Sequence, residues 1–314
     1  MKHIIEAQQF DIDWLEGKFF PLADEMGKLV DCDKPTDILR GKRMAVFFYE
    51  PSTRTRASFE SAMRFLGGEV VFSTENARQF SSVVKGESLR DTILVLNRYR
   101  PHVIILRYHE EGGARIAEEV SSEIGANAAS IINAGDGTGQ HPTQALLDVY
   151  TIHKRLGRIA EISVAMVGDL KNGRTVRSLT YLLAKYPGVK FYFVAPPASM
   201  IKEDIKTHLR KHGVTFFEET DLREVARMVD VIYQTRTQRE RGSDLDRSDS
   251  SQGFFMVDES VLELMKPESV IMHPLPRNEE ITLEVDKDPR AAYLTDQIDA
   301  GLFTRMALLK MLLT

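Results

Sequence analysis

The 314-residue chain has a single cysteine, Cys32, which excludes an internal disulfide framework and suits a reducing compartment. Cys32 could equally be a small buried side chain, and no histidine in a recognisable motif lies near it in sequence to make it a nucleophile. No apolar run approaches the roughly 20 residues of a membrane span. The acidic, helix-like start at 1–13 lacks a signal-peptide core, so the sequence predicts a soluble, cytoplasmic protein. Positive charge is not in excess: a net charge of -5 offers no general attraction to nucleic acid, and anion recognition has to be local. Repeats and low-complexity tracts are missing; the nearest, 239–252, is rich in Arg, Asp and Ser and reads as one mobile loop. Paired-cysteine motifs are also absent. His208 and His212 stand at i, i+4 on a polar helix with no third ligand near in sequence, so they read as a solvated face, and no metal or other cofactor is expected.

What the chain does have is length and alternation. With 43% hydrophobic residues it can build two ordinary cores. Apolar runs at 44–49, 69–73, 102–106 and 130–134, then at 162–167, 190–195, 214–218, 231–234 and 270–273, alternate with amphipathic helical patterns such as 174–186 and 201–212. This alternation predicts an α/β protein of two domains, each a parallel sheet covered by helices, with the active site in the cleft between them. Pro142 stands where a helix could start, and Ala145, Leu146, Val149 and Ile152 continue it, so one helix should bridge the domains.

The most informative segment is Glu50-Pro51-Ser52-Thr53-Arg54-Thr55-Arg56, between the run 44–49 and a helix marked by Phe59, Ala62, Met63 and Leu66 and closed by Gly67-Gly68. A strand-to-helix turn aims unpaired backbone N–H groups and the positive helix end at whatever sits there. Ser52, Thr53 and Thr55 add donors and Arg54 adds a planar fork, a set suited to phosphate. A simple helix cap needs only one hydroxyl, whereas Arg56 is accounted for by Glu60 one turn on.

Gly168-Asp169-Leu170-Lys171-Asn172-Gly173-Arg174-Thr175 differs from a P-loop by arginine in place of lysine. A guanidinium is no substitute for the compact ammonium that curls over the β and γ phosphates, and no well-placed aspartate follows to hold magnesium. Nucleotide binding at this loop is the rival reading. His141, after the glycine-rich 135–139 and before Pro142, meets the positive helix end, which favours a neutral imidazole able to donate to a carbonyl oxygen. Arg236 and Gln238 share one side of extended backbone after an apolar strand and fit a dicarboxylate. The prolines of His273-Pro274-Leu275-Pro276 free the Leu275 and Pro276 region's carbonyls to hold an amine or an amide-like NH2.

Five motifs in order resemble those of the aspartate and ornithine transcarbamoylases: Ser52 to Arg56, His141 to Gln144, Val167 to Thr175, Thr235 to Gln238 and His273 to Arg277. The similarity spans essentially the whole chain, and its last two motifs resemble the aspartate branch; Leu275 occupies the slot of the ornithine branch's cysteine. The resemblance implies carbamoyl transfer from carbamoyl phosphate to the α-amine of L-aspartate in pyrimidine biosynthesis, without a covalent intermediate. It implies a carbamoyl-phosphate domain of 1–142 plus 299–314 and an aspartate domain of 143–298. Ser52, Thr53, Arg54, Thr55, Arg107, His141 and Gln144, with Leu275 and Pro276, would hold carbamoyl phosphate. Arg54, Thr55, Arg107, His141 and Lys85 would be catalytic. Ser81 and Lys85 would reach into a neighbour's site in a homotrimer, where Lys85 would also meet the aspartate, and Val84 replaces a second basic residue frequent there. Arg174, Arg236 and Gln238 would hold the aspartate. Regulatory chains are a further possible partner. Transfer to ornithine or another amine competes with transfer to aspartate, and so does a non-catalytic relative that serves as an interaction partner.

Overall fold

The computed structural model describes residues 1–34, 36–236 and 255–314. Gln238 and the 239–252 loop lie outside them. The chain divides into one unit of Met1–Leu146 with Asp299–Thr314 and a second of Leu147–Ile298. The first division falls within a continuous helix, Pro142–Leu156.

In the first unit, β1 (Arg43–Phe48), β2 (Glu69–Thr74), β3 (Val103–Tyr108) and β4 (Ser130–Asp136) form a parallel four-stranded sheet in the order β2-β1-β3-β4. The second unit holds β5 (Ser163–Val167), β6 (Lys190–Val194), β7 (Thr215–Glu219), β8 (Val231–Gln234) and β9 (Val270–Met272), parallel, in the order β7-β6-β5-β8-β9. The inner strands are near-continuous apolar runs because helices cover both faces of such sheets. Ala45, Phe47, Ile104, Leu106 and Ile131 pack with Ile93 and Val120 in one core, and Ala165, Val167, Ile232 and Ile271 with Leu222, Val225 and Val261 in the other.

Both sheets reverse direction once. From β1 the chain steps outward to β2 and then returns to β3 on the opposite side; from β5 it steps out through β6 and β7 and returns to β8. Open α/β sheets bind ligands beyond the carboxyl ends of the strands at such a reversal. The β1/β3 and β5/β8 ends are therefore where chemistry is expected.

Three local expectations are corrected. The 1–13 start is not one helix: Ile4 bridges to Ile132 beside β4, Ala7–Gln9 makes a single turn, and a helical segment begins only at Ile12. The open edge of β4 and the burial of Ile4 and Ile5 outweigh local helix preference. The polar 76–87 stretch, which by sequence reads as an exposed loop, instead forms two short helical turns, Ala77–Phe80 and Ser82–Lys85. Cys32 is exposed, not a buried filler.

Candidate active site

The first half of the site starts at the carboxyl end of β1. Ser52 precedes the Thr53–Phe65 helix but makes no side-chain cap. Its hydroxyl donates to Thr55 Oγ1 at 3.1 Å instead. Thr55 is buried, while Thr53 and Arg54 are exposed at the helix start. The hydroxyl cluster thus sits where the first-turn N–H groups lack intrahelical acceptors.

Sequence reading overlooked two acids here. Glu75, just past β2, accepts the Ser52 N–H at 2.6 Å and lies 3.4 Å from Arg56 Nε. Arg56 also keeps Glu60, at 3.9 Å. Glu50 lies 3.6 Å from Arg107 Nη2. Neither contact follows from sequence spacing; both come from register, because Phe47 pairs with Thr74 and Phe48 with Arg107. Arg107 lies inside β3, which continues to Tyr108 with a shift of register after Leu106, and does not follow the strand's end at Leu106. Its Nη1 donates to the Ala134 carbonyl at 3.3 Å, directing the half-buried guanidinium along the β3 and β4 ends.

His141 and Gln144 are buried at the start of the Pro142–Leu156 helix, with Thr143 Oγ1 3.4 Å from His141 Nδ1. The glycine-rich turn before them is ordered by Asp136, whose carboxylate accepts the Gln140 N–H at 2.7 Å and the Gly112 N–H at 3.1 Å. Residues 52–55, 107 and 141–144 therefore gather at the adjacent carboxyl ends of β1, β3 and β4. Beside them, Tyr49, Glu50, Pro51, Asn76, Arg78 and Gln79 line an open hollow of about 310 Å³. Ser81 is committed to its own turn: its hydroxyl donates to the Ala77 carbonyl at 2.6 Å and accepts the Val83 N–H at 3.2 Å. Val84 and Lys85 are exposed.

In the second unit Gly168 ends β5 with φ +110°, and a Cβ there would lie 2.3 Å from the Thr235 carbonyl oxygen. Only glycine allows the β5 and β8 ends to approach so closely. The first N–H groups of the loop that follows are engaged within the fold. Leu170 and Lys171 N–H both donate to the Ser199 carbonyl at 3.0 Å, and the fully buried Asp169 carboxylate accepts the Asn172 N–H at 3.2 Å. A carboxylate inside the turn competes there with any bound anion. Arg174 opens the Arg174–Leu183 helix and is buried, and Arg236 follows β8 half-buried. The β5/β8 reversal thus carries both arginines, whereas Gln238 lies outside the described residues.

Leu275 takes a left-handed φ of +56° before a cis Pro276. The buried His273 ring accepts the Leu275 N–H at Nδ1, 2.7 Å, and its Nε2 lies 2.9 Å from Glu280 Oε1. Its backbone N–H donates to Gln297 Oε1 at 3.0 Å, and Gln297 Nε2 donates to the fully buried Asp148 at 2.7 Å. The Tyr233 hydroxyl donates to the same carboxylate at 2.8 Å. Arg277 is locked by a fork onto Asp286 and by the Tyr293 hydroxyl at 3.2 Å. Among the described residues no group of three or more His, Cys, Asp or Glu is placed to hold a metal ion, and no helix is long and apolar enough to cross a membrane. The His208 and His212 rings lie 4.2 Å apart and tilted by 36°, His208 in the Glu203–Lys211 helix and His212 just past its end.

Two doubly wound parallel sheets, one with hydroxyls and guanidiniums around a helix start and the other with arginines at its own reversal, define an enzyme that handles anionic substrates in two halves. The chain belongs to the aspartate/ornithine carbamoyltransferase family: residues 2–154 match its carbamoyl-P binding domain and residues 160–312 its Asp/Orn binding domain. It is 54% identical over 311 residues to aspartate carbamoyltransferase 2, chloroplastic, of Pisum sativum, covering 99% of this chain and 78% of that protein. It is 43% identical over 313 residues to the aspartate carbamoyltransferase catalytic subunit of Methanocaldococcus jannaschii, covering 100% and 98%. The aspartate transcarbamoylase of Trypanosoma cruzi, solved in complex with carbamoyl phosphate and aspartate, superposes with a TM-score of 0.90 at 38% identity, covering 100% of this chain and 96% of that one.

Proposed function

We infer that this chain is an aspartate carbamoyltransferase of de novo pyrimidine biosynthesis, in which the α-amine of L-aspartate attacks the carbonyl carbon of carbamoyl phosphate to give N-carbamoyl-L-aspartate and phosphate. The observation that carries this reading is full-length similarity to a transcarbamoylase crystallised with both substrates. Segment 1–142 with 299–314 binds carbamoyl phosphate and 143–298 binds aspartate.

Phosphate is already a good leaving group, so the protein's task is positioning and charge stabilisation. Ser52, Thr53, Arg54 and Thr55 hold the phosphate at the helix start. Thr55, Arg107 and His141 donate to the carbonyl oxygen and stabilise the oxyanion that develops there. Gln144, with the carbonyls of the Leu275-Pro276 turn, orients the carbamoyl NH2. Arg174, Arg236 and Gln238 hold the aspartate carboxylates. Carbamoyl transfer assayed in parallel with aspartate, ornithine and other amines tests the assignment; release of phosphate with ornithine in preference to aspartate would overturn it.

The working assembly in this reading is a homotrimer in which Ser81 and the exposed Lys85 of one protomer complete a neighbour's site. Arg54→Ala and Lys85→Ala proteins are each expected to be nearly inactive and to regain activity when mixed and reassembled. Hybrids no more active than their parents would remove the sharing. A cytoplasmic location is supported by the lone Cys32, while the Pisum relative is named as chloroplastic.

A further inference from the structure

We propose that Glu280 is a positioning residue that, through the His273 ring, fixes the direction of the carbonyls of the Leu275-Pro276 turn. The inference rests on the function proposed for those carbonyls, which is to hold the carbamoyl NH2, and it assigns a task to an acid that the reaction itself leaves unused.

A backbone N–H can only donate, so the Leu275 N–H pointing at His273 Nδ1 from 2.7 Å requires that nitrogen to carry no proton. The ring's acceptor capacity is then fixed at Nδ1. Its proton belongs on Nε2, which lies 2.9 Å from Glu280 Oε1. The carboxylate thus selects the tautomer that the Leu275 contact needs, as a hydrogen bond at one ring nitrogen does for the other. Glu280 also accepts the Asn278 N–H at 3.0 Å, so one side chain ties both ends of the 273–280 segment. Burial disfavours its charge, yet the His273 and backbone donors outweigh that and hold the Glu280 carboxyl below its ordinary range.

The need for such a tie lies at Leu275. A non-glycine residue at φ +56° is a sparsely populated conformation that persists only where its surroundings over-determine it. The bond from Leu275 N–H to the ring is one constraint, and the ring is itself held from the far side. Without Glu280, the ring can place its proton on Nδ1. Two N–H groups would then face each other, and the turn would relax and redirect its carbonyls.

The test compares Glu280→Ala, Glu280→Gln, His273→Gln and His273→Asn in the full-length protein. Glu280→Ala removes the acceptor, and kcat/KM for carbamoyl phosphate should fall tenfold to a hundredfold. Inhibition by inorganic phosphate should stay within threefold, because the phosphate contacts lie in the other unit. Glu280→Gln keeps an acceptor oxygen and should recover activity to within threefold. His273→Gln keeps a donor in place of Nε2 and loses the Nδ1 acceptor, so it should be as poor as Glu280→Ala, and it serves if that variant fails to fold. His273→Asn keeps an acceptor for Leu275 N–H and should be the milder of the pair. Hydrogen exchange at the Leu275 amide, read by mass spectrometry, should accelerate at least tenfold in Glu280→Ala and His273→Gln.

That exchange readout needs no catalysis, so it judges the His273–Glu280 tie even if the wild type fails the aspartate assay and the functional reading falls. Unchanged exchange overturns the tie. Accelerated exchange with kcat/KM within threefold of wild type overturns the positioning role. Equal damage in Glu280→Gln and Glu280→Ala overturns the tautomer argument.

Discussion

In the first unit the candidate contacts combine short hydroxyls and backbone N–H groups at the start of a helix with Arg54, Arg107 and His141, whereas in the second the described ones are two arginines near strand ends, one buried and one half-buried. Short side chains and main chain lose little freedom when a ligand arrives, so the hydroxyl and main-chain part of the first half is organised before binding. Arginine brings about 2 kcal/mol of rotamer entropy and needs support from its neighbours. The two halves also differ in their own anions. Glu50 and Glu75 reach groups proposed to meet carbamoyl phosphate, while Asp169 is folded inward onto its own loop. At the proposed site of the first unit, anion binding would therefore exchange one anion for another, whereas in the second the loop carboxylate already has its donors.

The comparison breaks most visibly at Arg107. Removing a donor to a developing oxyanion costs about 3 to 4 kcal/mol in kcat, so Arg107→Ala should lose a hundredfold to a thousandfold in turnover. A steady-state assay at saturating aspartate checks it, and an unchanged kcat would return Arg107 to a partner of Glu50 and nothing more. Arg236→Ala probes the other half. A charged hydrogen bond to a carboxylate is worth roughly 1.5 to 3 kcal/mol, so apparent aspartate affinity should weaken about tenfold to a hundredfold while phosphate inhibition stays near normal. Loss of both together would mean that the halves are not separable.

A smaller effect concerns acid stability of the first unit. His3 is held down to about 4 from an ordinary 6.5, by burial first and by nearby Lys2 second. The folded chain therefore binds fewer protons than the unfolded one between those values. Stability present above pH 6.5 is lost as pH falls toward 4, by about 1 to 2 kcal/mol. His3→Asn, which keeps an acceptor for the Ile131 N–H, should show a shallower decline of melting temperature over that window. Parallel curves would exclude His3 as the source.

The smallest expected change sharpens the contrast in resident anions. Glu75→Gln keeps an oxygen for the Ser52 N–H but removes the competing charge, so phosphate should bind about threefold to fivefold more tightly, under 1 kcal/mol. Weaker phosphate binding would identify Glu75 as a brace and not a competitor.

The strands were legible because buried parallel strands are written as apolar runs, and the turns after β1, β5 and β8 because hydroxyls, glycine and arginine stand out there. Glu50, Glu75 and Glu280 were not legible. Each is an ordinary acid whose partner is chosen by strand register or by a chain reversal, and neither leaves a periodic trace in sequence. The misread 1–13 start has the same origin: Ile4 lies extended because the β4 edge is available, a tertiary fact that local preference does not contain. The loop at 168–175 shows the converse, a sequence pattern suggestive of phosphate whose N–H groups at 170–172 the fold has already engaged.

The contact between Gly168 and the Thr235 carbonyl makes an absent side chain a unit of measure. Because nothing larger than hydrogen fits between the ends of β5 and β8, the backbones that lead to Arg174 and Arg236 leave the sheet from fixed, closely spaced origins. The size of the diacid these two arginines could span is then written in the gap between two strands, and a single methyl group at position 168 would lengthen that ruler.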